Sequence, residues 1–254
     1  MSVRFTIENG IALVVIDRPE ALNALNREVL EKLLDAVNHI NATPEIRAAL
    51  FMGGGEKSFV AGADIKYMSD MNPQEGEAWS RLGQSVFSSI VELSCPTIAV
   101  IQGFALGGGC ELALACDIRI ASNKARFGQP EVGLGIVPGF GGTQRLARLV
   151  GPGQAKKIIF SGEIIRADEA YAIGLVEQVV KPEELQETAL QLAKIIAGKS
   201  PNAVRLAKVA INCGLEGALE EGMRLEAALF GLCFASSEQK EGMKAFLEKR
   251  QARF

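Results

Sequence analysis

Two glutamates, Glu111 and Glu131, follow glycine-rich segments and have mainly apolar neighbours in the sequence. Glu111 ends the segment 105–111, and Glu131 ends the segment 127–131. An unpaired carboxylate is costly to bury, and acidic side chains are rarely fully buried in proteins. Two carboxylates in such similar surroundings therefore indicate a pair that exchanges protons with a substrate or with water.

Few other side chains in this sequence could carry out catalysis. The single histidine, His39, falls within a predicted helix and is distant in sequence from every glycine-rich segment. This position argues against a Ser-His-Asp or Cys-His mechanism. The sequence also contains neither a His-x-x-x-His pair, which would suggest a catalytic metal, nor a G-x-x-x-x-G-K-[ST] phosphate loop. An enzyme built from this chain would have to use carboxylates and backbone amides.

Two glycine-rich segments, 59–66 and 107–109, could supply those amides, and a third, 138–146, could line the same cavity. Glycine lets the backbone approach a ligand closely, and the second segment opens a predicted helix whose N-terminus favours negative charge. Two amides directed at one oxygen would form an oxyanion hole. The alternative for each segment is a tight turn or close packing of a helix, and packing is the preferred interpretation for 138–146.

Charged residues near these segments have two interpretations. Asp64 is expected to cap or orient its own loop, and Asp117 is expected to begin a strand. Several basic side chains could meet the phosphates of an anionic ligand, although a solvated charge is the commoner role. These are Lys57, Lys66, Lys244, Lys249 and Arg250.

Strands and helices alternate through the first two thirds of the chain, which predicts an α/β fold. Asn9-Gly10 predicts a hairpin between strands 4–7 and 11–16. An amphipathic helix is predicted over 27–41, with Asn26 as its N-cap. Strands at 48–52, 97–101 and 118–121 alternate with glycine-rich loops and helices. From residue 183 the pattern is helical, with segments near 183–197, 202–213, 217–235 and 238–250. We therefore expect an N-terminal core over 1–182 and a C-terminal helical region over 183–254.

The predicted helix at 217–235 is apolar nearly all round towards its end. A helix of this kind is usually buried, either in a subunit interface or inside its own chain. The sequence does not distinguish between these two possibilities.

Composition excludes several classes of function. The chain has 254 residues and a net charge of −3, which gives no general attraction to nucleic acid or to anionic membranes. No apolar run approaches the ~20 residues of a membrane helix, and no signal-peptide core follows the N-terminus. Five cysteines without a Cys-x-x-Cys pair indicate reduced thiols and a cytoplasmic location.

Five segments together resemble the enoyl-CoA hydratase (crotonase) family. They are Arg18–Leu25, Ala61–Ile65, Ile101–Leu112, Gly128–Glu131 with Pro138–Arg145, and Glu241–Arg250. The resemblance implies a crotonase-like spiral of ββα units and a C-terminal helical region that forms trimers, two of which usually stack into a hexamer. It also implies an acyl-CoA thioester substrate, with no cofactor beyond the coenzyme A of that substrate.

The resemblance assigns roles to individual residues by their position in these motifs. The backbone amides of Ala63 and Gly108 would bind the thioester oxygen, and Glu111 and Glu131 would be the two catalytic carboxylates. The residues implied to border coenzyme A are Ala21, Leu22, Lys57, Ala61, Asp64, Ile65 and Lys66, with Phe246 and Lys249 reaching it from a neighbouring subunit.

Two glutamates favour hydration of a 2-enoyl-CoA, because isomerases of this family generally keep a carboxylate near the Glu131 position and replace the one at Glu111. An isomerase or a branched-chain enoyl-CoA hydratase is the alternative within the family. Outside enzymes, the alternatives are an RNA-binding protein, which the acidic balance and scarce aromatics oppose, and an assembly subunit, which would be expected to lack one glutamate. We expect residues 66–80 to form the wall that sets the acyl chain length.

Overall fold

The computed structural model describes residues 2–254, and within them the chain forms ten strands and eleven α-helices. The strands are β1 (Val3–Glu8), β2 (Ile11–Ile16), β3 (Ala48–Gly53), β4 (Ser58–Val60), β5 (Thr97–Ile101), β6 (Phe104–Leu106), β7 (Ile118–Ser122), β8 (Arg126–Gly128), β9 (Ile165–Arg166) and β10 (Gln178–Val180). The helices are α1 (Arg27–Asn41), α2 (Ile65–Met68), α3 (Pro73–Val91), α4 (Gly108–Ala115), α5 (Gly142–Val150), α6 (Pro152–Ser161), α7 (Ala167–Ala172), α8 (Leu185–Ala197), α9 (Pro201–Gly214), α10 (Leu219–Cys233) and α11 (Ser237–Leu247).

The β1/β2 hairpin and helix α1 confirm the local sequence signals. β1 and β2 form an antiparallel hairpin whose register runs from Val3↔Ile16 to Glu8↔Ile11. Asn9 and Gly10 both have positive φ, 51° and 75°, as the two-residue turn between twisted strands requires. Helix α1 begins after Asn26, whose side chain accepts a hydrogen bond from the Val29 amide at 3.0 Å.

The strands of the described residues form two sheets that grow together along the chain. The larger sheet has the order β1-β2-β3-β5-β7-β10, and the smaller sheet has the order β4-β6-β8-β9. Each of the pairs β3/β4, β5/β6 and β7/β8 adds one strand to each sheet, and helices follow. The arrangement is the expected spiral of ββα units.

The central strands of the larger sheet, β2, β3 and β5, are buried on both faces, which explains their nearly continuous apolar sequences. Along β5, Ala99 and Ile101 contact the main core with α1 and α3. Ile98 and Val100 point to the opposite face, where they pack against α8. Helix α8 therefore covers the sheet although it falls after residue 182, and the division of the chain at that residue stays a prediction.

Helices α9 and α10 pack against each other through a close contact of glycines. A Cβ on Gly222 would lie 3.2 Å from the Gly214 Cα. A half-buried ion pair ties α9 to the sheet, because Lys208 Nζ donates to Asp117 Oδ2 at 2.8 Å and to the Cys95 carbonyl at 3.1 Å. Asp117 also accepts hydrogen bonds from the amide and the hydroxyl of Thr97.

The apolar helix near 217–235 is not buried inside its own chain, so that alternative is wrong. None of the residues of α10 is buried. Large apolar side chains of α9–α11 and of the turn after α9 are instead exposed: Ile211, Leu215, Leu219, Met223, Phe230, Phe246 and Leu247.

The remaining expectations concern cysteines and membrane helices. Cys95, Cys110 and Cys116 are buried, whereas Cys213 is exposed and Cys233 is half-buried, so the expected core location holds for three of the five. No helix in the described part of the chain combines the length and the apolar character needed to cross a membrane.

Candidate active site

A cavity of about 950 Å³ lies beside the carboxyl ends of three parallel strands. Strands β4, β6 and β8 are neighbours in the smaller sheet, so the segments that follow them meet at one edge. These segments are 61–65, 107–111 and 129–131, and they contain the residues that the sequence singled out. Ligands of α/β proteins commonly bind outside the carboxyl ends of parallel strands.

Glu111 lies in α4, all of whose residues are buried, and only 2% of its surface is exposed. Its Oε1 accepts hydrogen bonds from the Phe140 and Gly142 amides, each at 2.7 Å. Burial raises the pKa of Glu111 to about 7, and the nearby Glu131 carboxylate adds to the rise, while the two amides oppose it. The loop that begins α5 therefore fixes one oxygen of Glu111 in place.

Glu131 lies in a short 3-10 turn, Pro130–Leu134, and is 9% exposed. Gly107 makes room for it, because a Cβ at Gly107 would lie 2.8 Å from Glu131 Oε1. Gly107 also has a φ of 50°, a conformation that favours glycine. Burial raises the pKa of Glu131 to about 7.

The two glutamates therefore have similar properties within one cavity. A pKa of about 7 means that each can take up or release a proton at neutral pH. Because the Glu131 carboxylate helps to raise the pKa of Glu111, we expect the two groups to titrate as a pair. Cys110, next to Glu111, does not compete in this role, since burial raises the pKa of its thiol to about 12.

Ala63 and Gly108 both line the cavity. Ala63 forms a parallel bridge with Leu25. In this bridge the Leu25 amide donates to the Gly62 carbonyl, and the Asp64 amide donates to the Leu25 carbonyl. The Ala63 amide therefore points away from Leu25, and it donates to no other residue among 2–254. Gly108 is the first residue of α4, where the amides of a helix are free of partners within the helix.

The rest of the cavity is mainly apolar. Trp79 packs edge-on against Phe140, with ring centroids 5.3 Å apart, and its Nε1 donates to Met68 Sδ. Part of this wall comes from the expected segment 66–80. Another part comes from 132–140, of which the sequence indicated only 138–140 as a segment that could line the cavity. The side chains concerned are Met68, Met71, Trp79, Val132, Leu134, Ile136, Val137 and Phe140.

The structure brings together only some of the residues expected to border coenzyme A. Ala61 and Ile65 line the cavity. Leu22 lies beside them, because its carbonyl accepts a hydrogen bond from the Ala61 amide at 3.1 Å. Asp64 instead caps α2 and faces Arg18 at 3.5 Å, as its interpretation as a capping residue predicted.

Other expected residues lie outside the cavity wall. These are Ala21, Lys57, Lys66, Phe246 and Lys249. Lys57 and Lys66 are exposed, and Phe246 is 83% exposed on α11. His39, on α1, is also exposed, and its ring packs against that of Phe5 on β1, with centroids 4.9 Å apart. No group of three or more His, Cys, Asp or Glu side chains in residues 2–254 could hold a metal ion.

Sequence reasoning missed the groups that hold the glutamates. The amides of Phe140 and Gly142 fall in the segment 138–146, which was interpreted as packing. Gln129 is fully buried next to Glu131. The only sequence signal for this contact is the polar Gln129 two positions before Glu131.

Comparisons with known proteins identify a family that the whole chain resembles. The sequence profile described as Enoyl-CoA hydratase/isomerase matches residues 6–254. The chain is 53% identical to the crotonyl-CoA hydratase of Syntrophomonas wolfei subsp. wolfei, covering 97% of this chain and 95% of that protein. It is 52% identical to the short-chain-enoyl-CoA hydratase of Clostridium acetobutylicum, covering 96% and 94%. The crystal structure of an enoyl-CoA hydratase from Bacillus anthracis matches with a TM-score of 0.97 and 38% identity, covering 100% of this chain and 99% of that one.

Proposed function

The chain belongs to the enoyl-CoA hydratase/isomerase family, and we propose that Glu111 and Glu131 add water to a 2-enoyl-CoA thioester bound in the cavity. Its reaction is that of an enoyl-CoA hydratase, a hydro-lyase. One observation carries the proposed mechanism: two buried carboxylates and two residues with free amides line the same largely apolar cavity.

The amides of Ala63 and Gly108 would bind the thioester oxygen. Polarising this carbonyl makes Cβ of the enoyl chain electrophilic and stabilises the enolate charge that develops when water adds. Gly108 opens the eight-residue helix α4, whose N-terminus favours that negative charge. One oxyanion-hole donor is typically worth about 10²–10³ in rate.

The two glutamates would transfer the protons. Glu131 removes a proton from the attacking water while the water oxygen bonds to Cβ. The same carboxyl then gives a proton to Cα, so that one water molecule is added and Glu131 is regenerated. Glu111, held by the Phe140 and Gly142 amides, would orient and help to activate the same water. The scheme needs no metal and no cofactor beyond the coenzyme A of the substrate.

A short 2-enoyl chain is the proposed substrate. The relatives from Syntrophomonas wolfei and Clostridium acetobutylicum bear names that specify crotonyl-CoA and short-chain enoyl-CoA. The apolar wall of Met68, Met71, Trp79 and Val137 suits a hydrocarbon chain.

The proposed assembly is a homo-oligomer built from trimers, usually stacked as a hexamer. The exposed apolar side chains of α9–α11 support it, because large exposed apolar patches mark interfaces. Phe246 and Lys249 lie outside the cavity of their own chain, so their contact with coenzyme A would require a neighbouring subunit. Analytical ultracentrifugation tests the assembly, and a monomer would contradict it. The cytoplasmic location stays a prediction.

The reaction is tested by following the absorbance of the conjugated thioester after purified protein is mixed with crotonyl-CoA, and then with a longer 2-enoyl-CoA. We expect rapid loss of absorbance, faster with crotonyl-CoA. If crotonyl-CoA is unchanged while a 3-enoyl-CoA gains conjugated absorbance, the chain is an isomerase and the proposed reaction is wrong.

A further inference from the structure

Gln129 is a fully buried side chain that contacts the carboxylate of Glu131 directly. Its amide is assigned with the nitrogen towards Glu131, since the reverse orientation would place an oxygen against the carboxylate. In this orientation the nitrogen donates to Oε1 at 3.0 Å and to Oε2 at 3.1 Å. A single amide therefore bonds both oxygens of Glu131.

The other end of the Gln129 amide faces hydrogen-bond donors and lies against Gly142. A Cβ on Gly142 would lie only 2.7 Å from this amide. The Gly142 backbone amide itself donates to Glu111 Oε1. Gln129 thus stands between Glu131 and the loop that holds Glu111.

The surrounding charges do not replace this contact. Helix α4 presents Glu111 and the Cys110 thiol to Glu131. From α5, Arg145 donates to the Phe140 carbonyl and the Ser88 hydroxyl. Beyond Pro130, Lys157 and Glu163 form an ion pair with each other at 2.9 Å. Among these groups, none donates a hydrogen bond to the Glu131 carboxylate in the described part of the chain.

We propose that Gln129 is a positioning residue that keeps Glu131 ionised and correctly oriented, and that it joins Glu131 to the loop holding Glu111. Hydrogen bonds to a carboxylate favour its charged form, and hydration requires this form because Glu131 must accept a proton from water. The inference rests on the proposed function, since it assigns the orientation and charge of the proposed base to a residue outside the proton-transfer steps.

The test is the pH dependence of kcat for Gln129→Met, which keeps the length of the side chain and removes its donors. Without these donors the pKa of Glu131 should rise, so the midpoint of the acid limb of the kcat profile should shift to higher pH by about one unit. We also expect kcat at neutral pH to fall about tenfold, with little change in KM. Gln129→Glu keeps the shape of the side chain and places a carboxyl oxygen where the donors were. It provides the same test if the Met variant does not fold, and the midpoint of the acid limb should shift in the same direction.

Gln102→Met is the matched control. Gln102 donates to the Gly53 and Ser58 carbonyls at 2.9 and 2.6 Å and does not line the cavity. Its substitution should leave the midpoint of the acid limb in place. An unchanged midpoint in the folded Gln129 variants would overturn the inference, because a purely structural residue would lower activity without moving the profile.

A double variant separates this inference from the function on which it rests. With Glu131 already replaced by Gln, Gln129→Met should lower the residual rate less than about twofold, because its effect acts through Glu131. A full additional tenfold loss would contradict the inference alone. Wild-type turnover in the single variant Glu131→Gln would instead overturn the proposed function.

Discussion

Gly142→Ala should separate activity from folding in this protein. Gly142 is the first residue of α5, where alanine is favourable by up to about 1 kcal/mol relative to glycine. The added Cβ, however, would lie 2.9 Å from Glu111 Oε1 and 2.7 Å from the Gln129 amide. We therefore expect the folded state to survive while the two groups beside the new methyl group move.

The size of the effect follows from these contacts. Ordinary contacts of a Cβ begin near 3.4 Å, so Glu111 Oε1 must retreat by about 0.5 Å. A misplacement of about 1 Å at a catalytic group can cost about 10²-fold in rate. Half of that displacement, applied to Glu111 and transmitted through Gln129, should lower kcat about tenfold to a hundredfold.

The assay is the hydration of crotonyl-CoA, measured beside thermal unfolding. Gly153→Ala is the matched control, because Gly153 is also near the start of a helix and its Cβ would meet no atom within 4 Å. The control should keep wild-type kcat. Wild-type kcat in Gly142→Ala would refute the account of how Glu111 is held, and equal loss of activity in both variants would show that the helix N-termini respond to alanine for another reason.

The remaining predictions concern stability. Because the folded protein raises the pKa of Glu111 and Glu131 from 4.5 to about 7, it binds more protons than the unfolded chain between these values. The free energy of unfolding should therefore fall as pH rises through this window. Denaturant titrations at several pH values should show that this free energy falls less steeply with pH in Glu111→Gln. A fall as steep as that of the wild type would contradict the raised pKa. Lys208→Met should lower the free energy of unfolding by about 2 kcal/mol, because it leaves the half-buried Asp117 carboxylate with only its Thr97 hydrogen bonds, whereas a loss below about 1 kcal/mol would show that the ion pair does not anchor α9.

The sequence predicted those parts of the structure that depend on local signals. The Asn9-Gly10 turn and the N-cap at Asn26 act within a few residues, so their outcome did not depend on the rest of the fold. The two glutamates could be identified because carboxylates in apolar segments are unusual. Their meeting in one cavity follows from the parallel order of β4, β6 and β8.

Other features depend on contacts between distant segments. The Phe140 and Gly142 amides reach Glu111 only after the chain has folded back from α4 to α5, and no residue type marks a backbone donor in advance. The exposure of α10 could not be predicted either, because an apolar helix in a subunit interface and one in a core have the same sequence pattern. The basic residues Lys57 and Lys66 could not be assigned, since a solvated lysine and a phosphate-binding lysine look alike in sequence.

The central claim is that Glu111 and Glu131 act together on one water molecule, and their Gln variants test it most directly. The measurement is kcat for crotonyl-CoA hydration by Glu111→Gln, Glu131→Gln and the double variant, with the exposed Glu187→Gln as control. We expect Glu131→Gln nearly to abolish turnover and Glu111→Gln to lower it strongly. The double variant should be little worse than Glu131→Gln, because the effects of substituting groups that act as a unit are not additive. Near wild-type turnover of either single variant, with the fold intact, would contradict it.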